Sequence, residues 1–382
     1  MKKVLYITSP CFFDYDLGLI NEMRKKVDLY VLIDISPLSK NSTVISIENY
    51  DNTAGLYPCT KYKEFSNVAS LIDLDRTYLL HRNTSGMSLA NLKIQLSLRR
   101  LMKEKEIELI HFNRAFSPDY LLSVVANPGI RIVQTFHDPV PHIDDRTLRR
   151  TLIDKTGKFF ADRFVIFNQN QYEEFSQTIS KSKRDRIFIS NLGVYTFLPG
   201  LPGADLTHIT GNKPYVLFFG RFSKYKGIEV LLKAFEKVHS KEVRLILAGS
   251  GPFEGEITDP ERVILLNRYI ANEELTSLIS HSLFVVCPYI EATQSGVVMT
   301  TYGFSKTIVA SNVGGLTEYV PDHQTGLLTE PGNPDDLAQK MNELIDNPQL
   351  RMTLENNIKS LCEDGVFAYN HIVTKLIDFY DK

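Results

Sequence analysis

Along nearly its whole length this chain alternates short, almost purely apolar runs with stretches of helical period. In the first half the runs are Val4–Thr8, Leu29–Ile33, Leu109–Phe112, Ile132–Thr135 and Arg163–Phe167. Between them lie helical patterns such as Leu89–Lys105, where Leu92, Gln95, Leu96 and Arg99 recur around a helix period. A strand that is apolar on both faces needs cover on both. A helix between successive strands supplies that cover and returns the chain to begin a parallel neighbour. The pattern therefore predicts an α/β fold with parallel sheets. Residues 36–87, rich in Ser, Asn and Thr, show no clear period.

The alternation lapses at Leu198–Asn212, LPGLPGADLTHITGN, where two Pro-Gly pairs and no periodicity read as linker chemistry. It then restarts with Tyr215–Phe219, helix Ile228–His239, strands Arg244–Leu247 and Val263–Leu266, helix Asn272–Ser280, and strands Leu283–Val286 and Thr307–Ala310, before a helical tail over Asp335–Lys382. A chain of 382 residues exceeds what one hydrophobic core usually serves. Two Rossmann-like βα domains are predicted, 1–200 and 213–366, joined by a linker over 201–212, with 367–382 as a final segment. Ligands of such sheets bind beyond the carboxyl ends of the strands, so the two domains are expected to face a central cleft.

Bulk properties exclude several classes. The chain is 43% hydrophobic, has a net charge of −2, and its four cysteines (Cys11, Cys59, Cys287 and Cys362) lie too far apart for a zinc or redox pair. Only Val4-Leu5-Tyr6-Ile7 follows the two N-terminal lysines, too short for a secretory apolar core, and no run approaches the ~18 apolar residues of a membrane span. A cytoplasmic location is expected. Residues 1–200 carry 27 Lys+Arg against 22 Asp+Glu, and the remainder 16 against 23. The cations cluster at Arg24-Lys25-Lys26, at Arg99-Arg100 with Lys103 and Lys105, and at Arg146 with Arg149-Arg150. Solvated helix faces would give the same clusters. So would attraction to an anionic partner, such as a pyrophosphate-bearing acceptor or the inner membrane surface. No cluster is interleaved with aromatics, and nucleic acid is not an expected partner.

The segment YVLFFGRFSKYKGIEVLLKAF concentrates the chemistry. A strand ends at Gly220, a loop holds Arg221 and Lys226, and Gly227 opens an amphipathic helix. Cations beside a helix N-terminus make an anion site, because free N–H groups and the helix dipole both favour negative charge there. Arg221 can grip two phosphate oxygens as a fork, and Lys226 supplies a mobile point charge. An ordinary βα turn with solvated cations has the same spacing.

GRFSKYKG resembles the phosphate loop of the GT-B glycosyltransferases of family 4, a large retaining group. The likeness continues in order through Leu247-Ala248-Gly249-Ser250-Gly251-Pro252, Cys287-Pro288-Tyr289, Val313-Gly314-Gly315-Leu316-Thr317-Glu318, Gly326-Leu327-Leu328 and Pro331-Gly332-Asn333-Pro334. It spans essentially all of residues 213–346. The first half is similar more loosely, through Thr135-Phe136-His137-Asp138, Ala161-Asp162 and Asn191-Leu192-Gly193-Val194. The resemblance implies a GT-B fold whose last helix crosses back to the first domain. It also implies a hexosyltransferase that takes a nucleotide-diphosphate sugar as co-substrate, with no other cofactor and no metal.

By the same likeness, His137, Arg221 and Lys226 are the catalytic candidates. The donor would be held by Gly220, Arg221, Lys226, Glu291, Ser295, Gly296, Val297 and Thr300. Asp14 and His111 are candidates for the acceptor side. Asp14-Tyr15-Asp16 has the letter pattern of metal-dependent transferases, but its place in the first loop fits a helix or loop cap. The family carries a pair of glutamates around its glycine loop. Here Glu291 stands near the first position and Thr300 at the second, so a neutral hydroxyl replaces a carboxylate expected to bond the ribose. The acceptor implied is a glycan or lipid-linked intermediate of surface polysaccharide assembly. A nucleotide-sugar epimerase on the same fold and a non-catalytic sugar-nucleotide scaffold remain alternatives.

Overall fold

The computed structural model describes residues 1–36, 42, 44–45, 47, 53–82, 88–125, 127, 129–139 and 147–382. Arg146, the Arg149 side chain and part of the stretch 36–87 lie outside the described residues. The chain divides into two compact units, Met1–Asn191 with Tyr369–Lys382, and Leu192–Ala368.

In the first unit the apolar runs form β1 (Lys3–Thr8), β2 (Asp28–Ile35), β3 (Gly55–Pro58), β4 (Thr77–His81), β5 (Leu109–Phe112), β6 (Arg131–Thr135), β7 (Arg163–Ile166) and β8 (Ile187–Ile189). They make one sheet in the order β3-β4-β2-β1-β5-β6-β7-β8, parallel except for the edge strand β3. Val4 is in register with Leu29 on one side and Leu109 on the other. Val4, Leu5, Tyr6 and Ile7 are wholly buried, as a central strand covered on both faces requires. The crossings carry α1 (Phe13–Met23), α2 (Leu89–Glu104), α3 (Leu121–Val125), α4 (Leu148–Phe160) and α5 (Tyr172–Gln177).

Helix α2 divides its apolar residues between two faces. Ile94, Gln95 and Leu98 face inward, while Leu92 and Leu96 face solvent. Gln95 is tied down instead by the Ser123 hydroxyl, which donates to its Oε1 at 2.8 Å.

The second unit holds β9 (Tyr215–Phe219), β10 (Arg244–Gly249), β11 (Val263–Asn267), β12 (Val285–Cys287), β13 (Ile308–Ser311) and β14 (Gly326–Thr329). The sheet is parallel throughout, in the order β11-β10-β9-β12-β13-β14, with β9 near its centre. Its helices are α6 (Thr207–Thr210), α7 (Ile228–Phe235), α8 (Asn272–His281), α9 (Gly296–Gly303), α10 (Leu316–Tyr319), α11 (Pro334–Asp346) and α12 (Pro348–Glu363). The Pro-Gly stretch after Leu198 packs on α8. Thr276 Oγ1 donates to the Leu198 carbonyl at 3.1 Å, and Ser277 Oγ to that of Ala204 at 2.7 Å.

The helical tail is not continuous. Asn347 interrupts it and caps α12, its side chain accepting from the Leu350 amide at 2.9 Å, with Pro348 in the first turn. The last helix, α13 (Tyr369–Asp381), belongs to the first unit, the return that the family likeness implied. Tyr369 Oη donates to the Tyr15 carbonyl at 2.9 Å, Phe379 stacks on Phe188 with centroids 5.3 Å apart, and Arg131 donates to the Tyr380 carbonyl at 2.8 Å. Among the described residues no helix is long and apolar enough to cross a membrane.

Candidate functional site

In the second unit, β9 delivers Gly220 and Arg221 to the carboxyl edge of the sheet, followed by the single turn Lys224–Lys226. Gly227 ends that turn at φ +67° and opens α7. A Cβ on Gly227 would lie 1.9 Å from the Pro288 carbonyl oxygen, so only glycine lets the two loops touch. Gly314, at φ +45°, approaches the Ala292 carbonyl in the same way, with a hypothetical Cβ 1.9 Å away. The Ile290 amide donates to the Tyr225 carbonyl at 2.8 Å, and the Gly315 amide to Ala292 at 3.2 Å. The loop carrying Glu291 is thus clamped from both sides by backbone.

That clamp fixes the cations. Lys226 is only 8% exposed, with its ammonium 3.7 Å from the centre of the Tyr289 ring. Burial pushes its pKa down to about 8; the neighbouring Cys287 opposes the shift and the positive charge of Arg221 adds to it. Arg221 itself is exposed and lines a pocket of about 480 Å³ with Ser223, Gly227, Glu229, Pro252 and Ile290. The Ser223 hydroxyl oxygen there is buried without a hydrogen-bond partner among the described residues. Two cations close enough to repel, beside an unused hydroxyl, are suited to an anionic ligand.

Helix α9 contributes the remaining expected groups. Ser295 stands at its N-cap position, and its Oγ lies 3.4 Å from Tyr289 Oη. A Cβ on Gly220 would sit 3.5 Å from Val297 Cγ2, which places the start of α9 beside the end of β9. Thr300 lies one turn beyond Gly296, on the same side of the helix, and is 7% exposed. Glu291 is exposed in the clamped loop. The structure thus gathers Gly220, Arg221, Lys226, Ser295, Gly296 and Val297 around one sheet edge. Tyr289, which seats the lysine, carries a role that the Cys-Pro-Tyr motif alone did not announce.

In the first unit, His137 follows β6 and is half-buried. Its ring lies flat on Phe12, centroids 3.8 Å apart and planes 5° from parallel. Nε2 is 3.2 Å from both the backbone oxygen and Oδ1 of Asn113. Two oxygens facing one nitrogen require Nε2 to carry the proton, which leaves Nδ1 as the basic atom. Burial pushes the His137 pKa down to about 4, against the pull of the Asn113 backbone and of Asp138, so the ring is neutral at pH 7.

Asn113 is itself held by Asp16, its Nδ2 donating to Asp16 Oδ1 at 2.7 Å. Tyr6 Oη donates to the same oxygen at 2.6 Å, and Thr8 Oγ1 to Oδ2. Asn113, one residue past β5, was not singled out from the sequence, and Asp16, read there as part of a helix or loop cap, is instead a buried anchor inside α1.

The acceptor-side candidates fare differently. His111 is 1% exposed, with Nδ1 hydrogen-bonded to Tyr380 Oη and Nε2 2.6 Å from Thr135 Oγ1. It is an interior histidine that anchors α13 and lines no surface; burial and the nearby His137 depress its pKa to about 3. Asp14 lies in the first turn of α1, where its charge suits the helix dipole. No cluster of three or more His, Cys, Asp or Glu that could hold a metal occurs among the described residues.

Residues 213–347 match the family Glycosyl transferases group 1. An uncharacterised glycosyltransferase of Methanocaldococcus jannaschii is 25% identical over 291 residues, covering 74% of this chain and 78% of its own length. Residues 213–347 thus form a group 1 domain, and the chain is a glycosyltransferase. O-antigen chain mannosyltransferase C of Escherichia coli is 22% identical to this glycosyltransferase over 306 residues, covering 74% and 79% of the two chains. Among solved structures, Anabaena HepE in complex with UDP aligns with a TM-score of 0.69 at 17% identity, covering 100% of both chains. That likeness shows the fold, which is GT-B.

Proposed function

We propose that this glycosyltransferase moves a hexosyl group from a nucleotide-diphosphate donor to a hydroxyl of a glycan or lipid-linked acceptor, with retention of configuration. The observation that carries the reading is the pair Arg221 and Lys226. One is exposed at the strand end and the other buried on Tyr289, and their mutual repulsion is relieved by a pyrophosphate. The UDP bound to HepE supports a nucleotide as the donor's leaving group, and the mannosyltransferase relative, named for an O-antigen chain, supports a surface-polysaccharide acceptor.

In this reading the bond between the donor's anomeric carbon and its phosphate oxygen breaks. A new bond forms from the same carbon to the acceptor oxygen, and the acceptor's proton passes to the departing phosphate. Arg221, Lys226 and the amides at Gly296 and Val297 meet the negative charge that develops on the diphosphate, which is the largest kind of catalytic contribution. Ser295 and Gly220 shape that pocket, and Glu291 and Thr300 address the sugar and ribose hydroxyls. His137, neutral and oriented by Asn113, polarises the transferring sugar. The reaction takes place on the cytoplasmic side and uses no metal or organic cofactor.

Calorimetric titration with UDP, GDP and ADP, followed by turnover of the matching sugar donors, tests this. One nucleotide binds the wild-type chain, Arg221→Ala and Lys226→Ala each lose on the order of 100-fold in kcat, and chelators leave turnover intact. Absence of binding to any nucleoside diphosphate would sink the assignment. An inverted anomer by NMR would overturn retention alone.

A further inference from the structure

The outer helical face of the first unit has an arrangement that the transferase chemistry does not use. The steps from β4 to β5, β5 to β6 and β6 to β7 all run the same way along the sheet order. Right-handed crossovers therefore place α2, α3 and α4 on one side. The shared core agrees: Ile94 and Leu98 of α2, Val124 of α3 and Phe160 of α4 pack in one cluster. The step from β1 to β2 runs the other way, so α1 and its partner α13 cover the opposite face.

Leucines and a phenylalanine project outward from this layer. On α2, Leu89, Leu92 and Leu96 form a stripe and are 81%, 48% and 51% exposed. On α4, Leu148, Leu152 and Phe159 form a second stripe, 93%, 59% and 75% exposed, with Lys155 between them. Leu122 of α3 is exposed as well. Among the described residues these are all the large exposed apolar side chains of the first unit except Met1. Helix α2 shows them outward although it already buries Ile94, Leu98, Leu101 and Met102, so it is apolar on two faces where an ordinary hydrated helix is apolar on one.

Cations frame the stripes. The exposed face of α2 carries Lys93, Arg99, Arg100 and Lys103 against the single acid Glu104. Beside Phe159, Lys155, Lys158 and Lys183 line a surface groove of about 330 Å³.

We propose that the α2–α3–α4 face docks on an anionic lipid bilayer, with the leucines and Phe159 entering the acyl boundary and the lysines and arginines meeting phosphate headgroups. A bilayer offers hydrocarbon and negative charge side by side, which is what this face complements. A second copy of the chain fits poorly, since a two-fold contact would set this basic patch against the same basic patch. This inference stands apart from the donor chemistry, because it concerns the first unit and needs no nucleotide.

The test is flotation of the full chain with vesicles of phosphatidylcholine, with and without phosphatidylglycerol, and with no donor present. The wild-type chain floats with the anionic vesicles, and high salt lowers its partition by roughly tenfold. Leu92→Gln/Leu96→Gln and Leu148→Gln/Leu152→Gln each lower it by at least about tenfold, and Arg99→Glu/Arg100→Glu does likewise. Thermal unfolding of the variants matches wild type, since every changed side chain is exposed. Wild-type failure to float overturns the proposal, and so does equal flotation of all variants. Equal binding to neutral vesicles overturns its anionic requirement. Self-association in sedimentation velocity that the leucine variants abolish assigns the face to a second copy instead.

Discussion

The ammonium of Lys226 lies 3.7 Å above the centre of the Tyr289 ring, and the side chain is 8% exposed. An isolated lysine has a pKa of 10.5, and burial brings this one to about 8. A folded-state pKa below the unfolded one means that the unfolded chain binds more protons between these values. Stability therefore rises with pH across that window, and at neutral pH the charged lysine destabilises the fold by up to about 3 kcal/mol, partly offset by the ring. Lys226→Met is expected to raise the melting temperature at pH 7 while abolishing nucleoside diphosphate binding. A melting scan paired with calorimetry reads both.

An anion seated on Lys226 raises its pKa again, so binding takes up a proton near and above pH 8. Affinity for the nucleoside diphosphate is expected to fall as pH rises through about 8, by as much as tenfold per unit. In Arg221→Ala the like charge is gone, and the midpoint of that fall moves upward. Titrations over a pH series decide it. An affinity flat through this range would place the phosphate elsewhere.

Acid stability of the first unit responds to the interior His111 and Asp16 and to the half-buried His137. His111 and His137 have pKa values brought to about 3 and about 4 from 6.5, so the unfolded chain gains protons first and stability is lost as pH falls below 6.5. Asp16 is shifted the other way, from 3.8 to about 7, chiefly by burial, and the stability it contributes at low pH is lost as pH rises through 7. Between about pH 4.5 and 6 the two histidines outweigh the aspartate by one proton, a slope near 1.4 kcal/mol per pH unit. Asp16→Asn removes the opposing group, so its melting temperature should fall about twice as steeply with acid. Differential scanning calorimetry in that range gives the slopes directly.

What the sequence could tell followed burial. Val4-Leu5-Tyr6-Ile7 and Tyr215–Phe219 are central strands, covered on both faces, and their apolar runs are unmistakable. The edge strands β3 and β8 are only partly buried, β3 leaving no such run and β8 one of only three residues, and β4 lies in a polar stretch. Helix α2 is ambiguous, because Leu89, Leu92 and Leu96 point to solvent while Leu98 and Leu101 are buried and Gln95 accepts from Ser123 of another helix. In the site, the Gly-Arg-Phe-Ser-Lys-Tyr-Lys-Gly segment was legible because its cations and glycine are local. Phe12 and Asn113 meet His137, and Asp16 holds Asn113, only because β1, β5 and β6 are neighbours in the sheet, a relation with no fixed spacing in the chain.

Gly314 tests the clamp on the Glu291 loop. Alanine there must hold φ at +45° and place its Cβ 1.9 Å from the Ala292 carbonyl oxygen, so the loop has to move. Strain and displacement together are expected to cost on the order of 3 kcal/mol. For a unit of this size that lowers the melting temperature by roughly 6–12 °C. Nucleotide affinity falls with it, because the displaced loop runs into Ser295 and the start of α9. Gly332, at φ +72° with nothing within 4 Å of where a Cβ would stand, provides the comparison: alanine there bears the backbone strain without the collision. Nucleotide binding should survive in Gly332→Ala and weaken in Gly314→Ala.

Thr300 lies one turn into α9 and is nearly buried, and the resemblance to family 4 sets it at the place of a second glutamate. A hydroxyl that bonds the ribose contributes about 1 kcal/mol as a neutral hydrogen bond, against roughly 2 for a carboxylate. Thr300→Val keeps the shape and removes only the hydroxyl. It is expected to weaken nucleoside diphosphate binding about fivefold, while Thr300→Ser stays close to wild type. Because valine fills the same volume in a helix already rich in β-branched neighbours, the melting temperature should barely change. Calorimetry on the three proteins separates the cases. Identical affinities for Val and Thr would mean that the hydroxyl faces the protein and that this enzyme holds its donor without any group at the second glutamate's place.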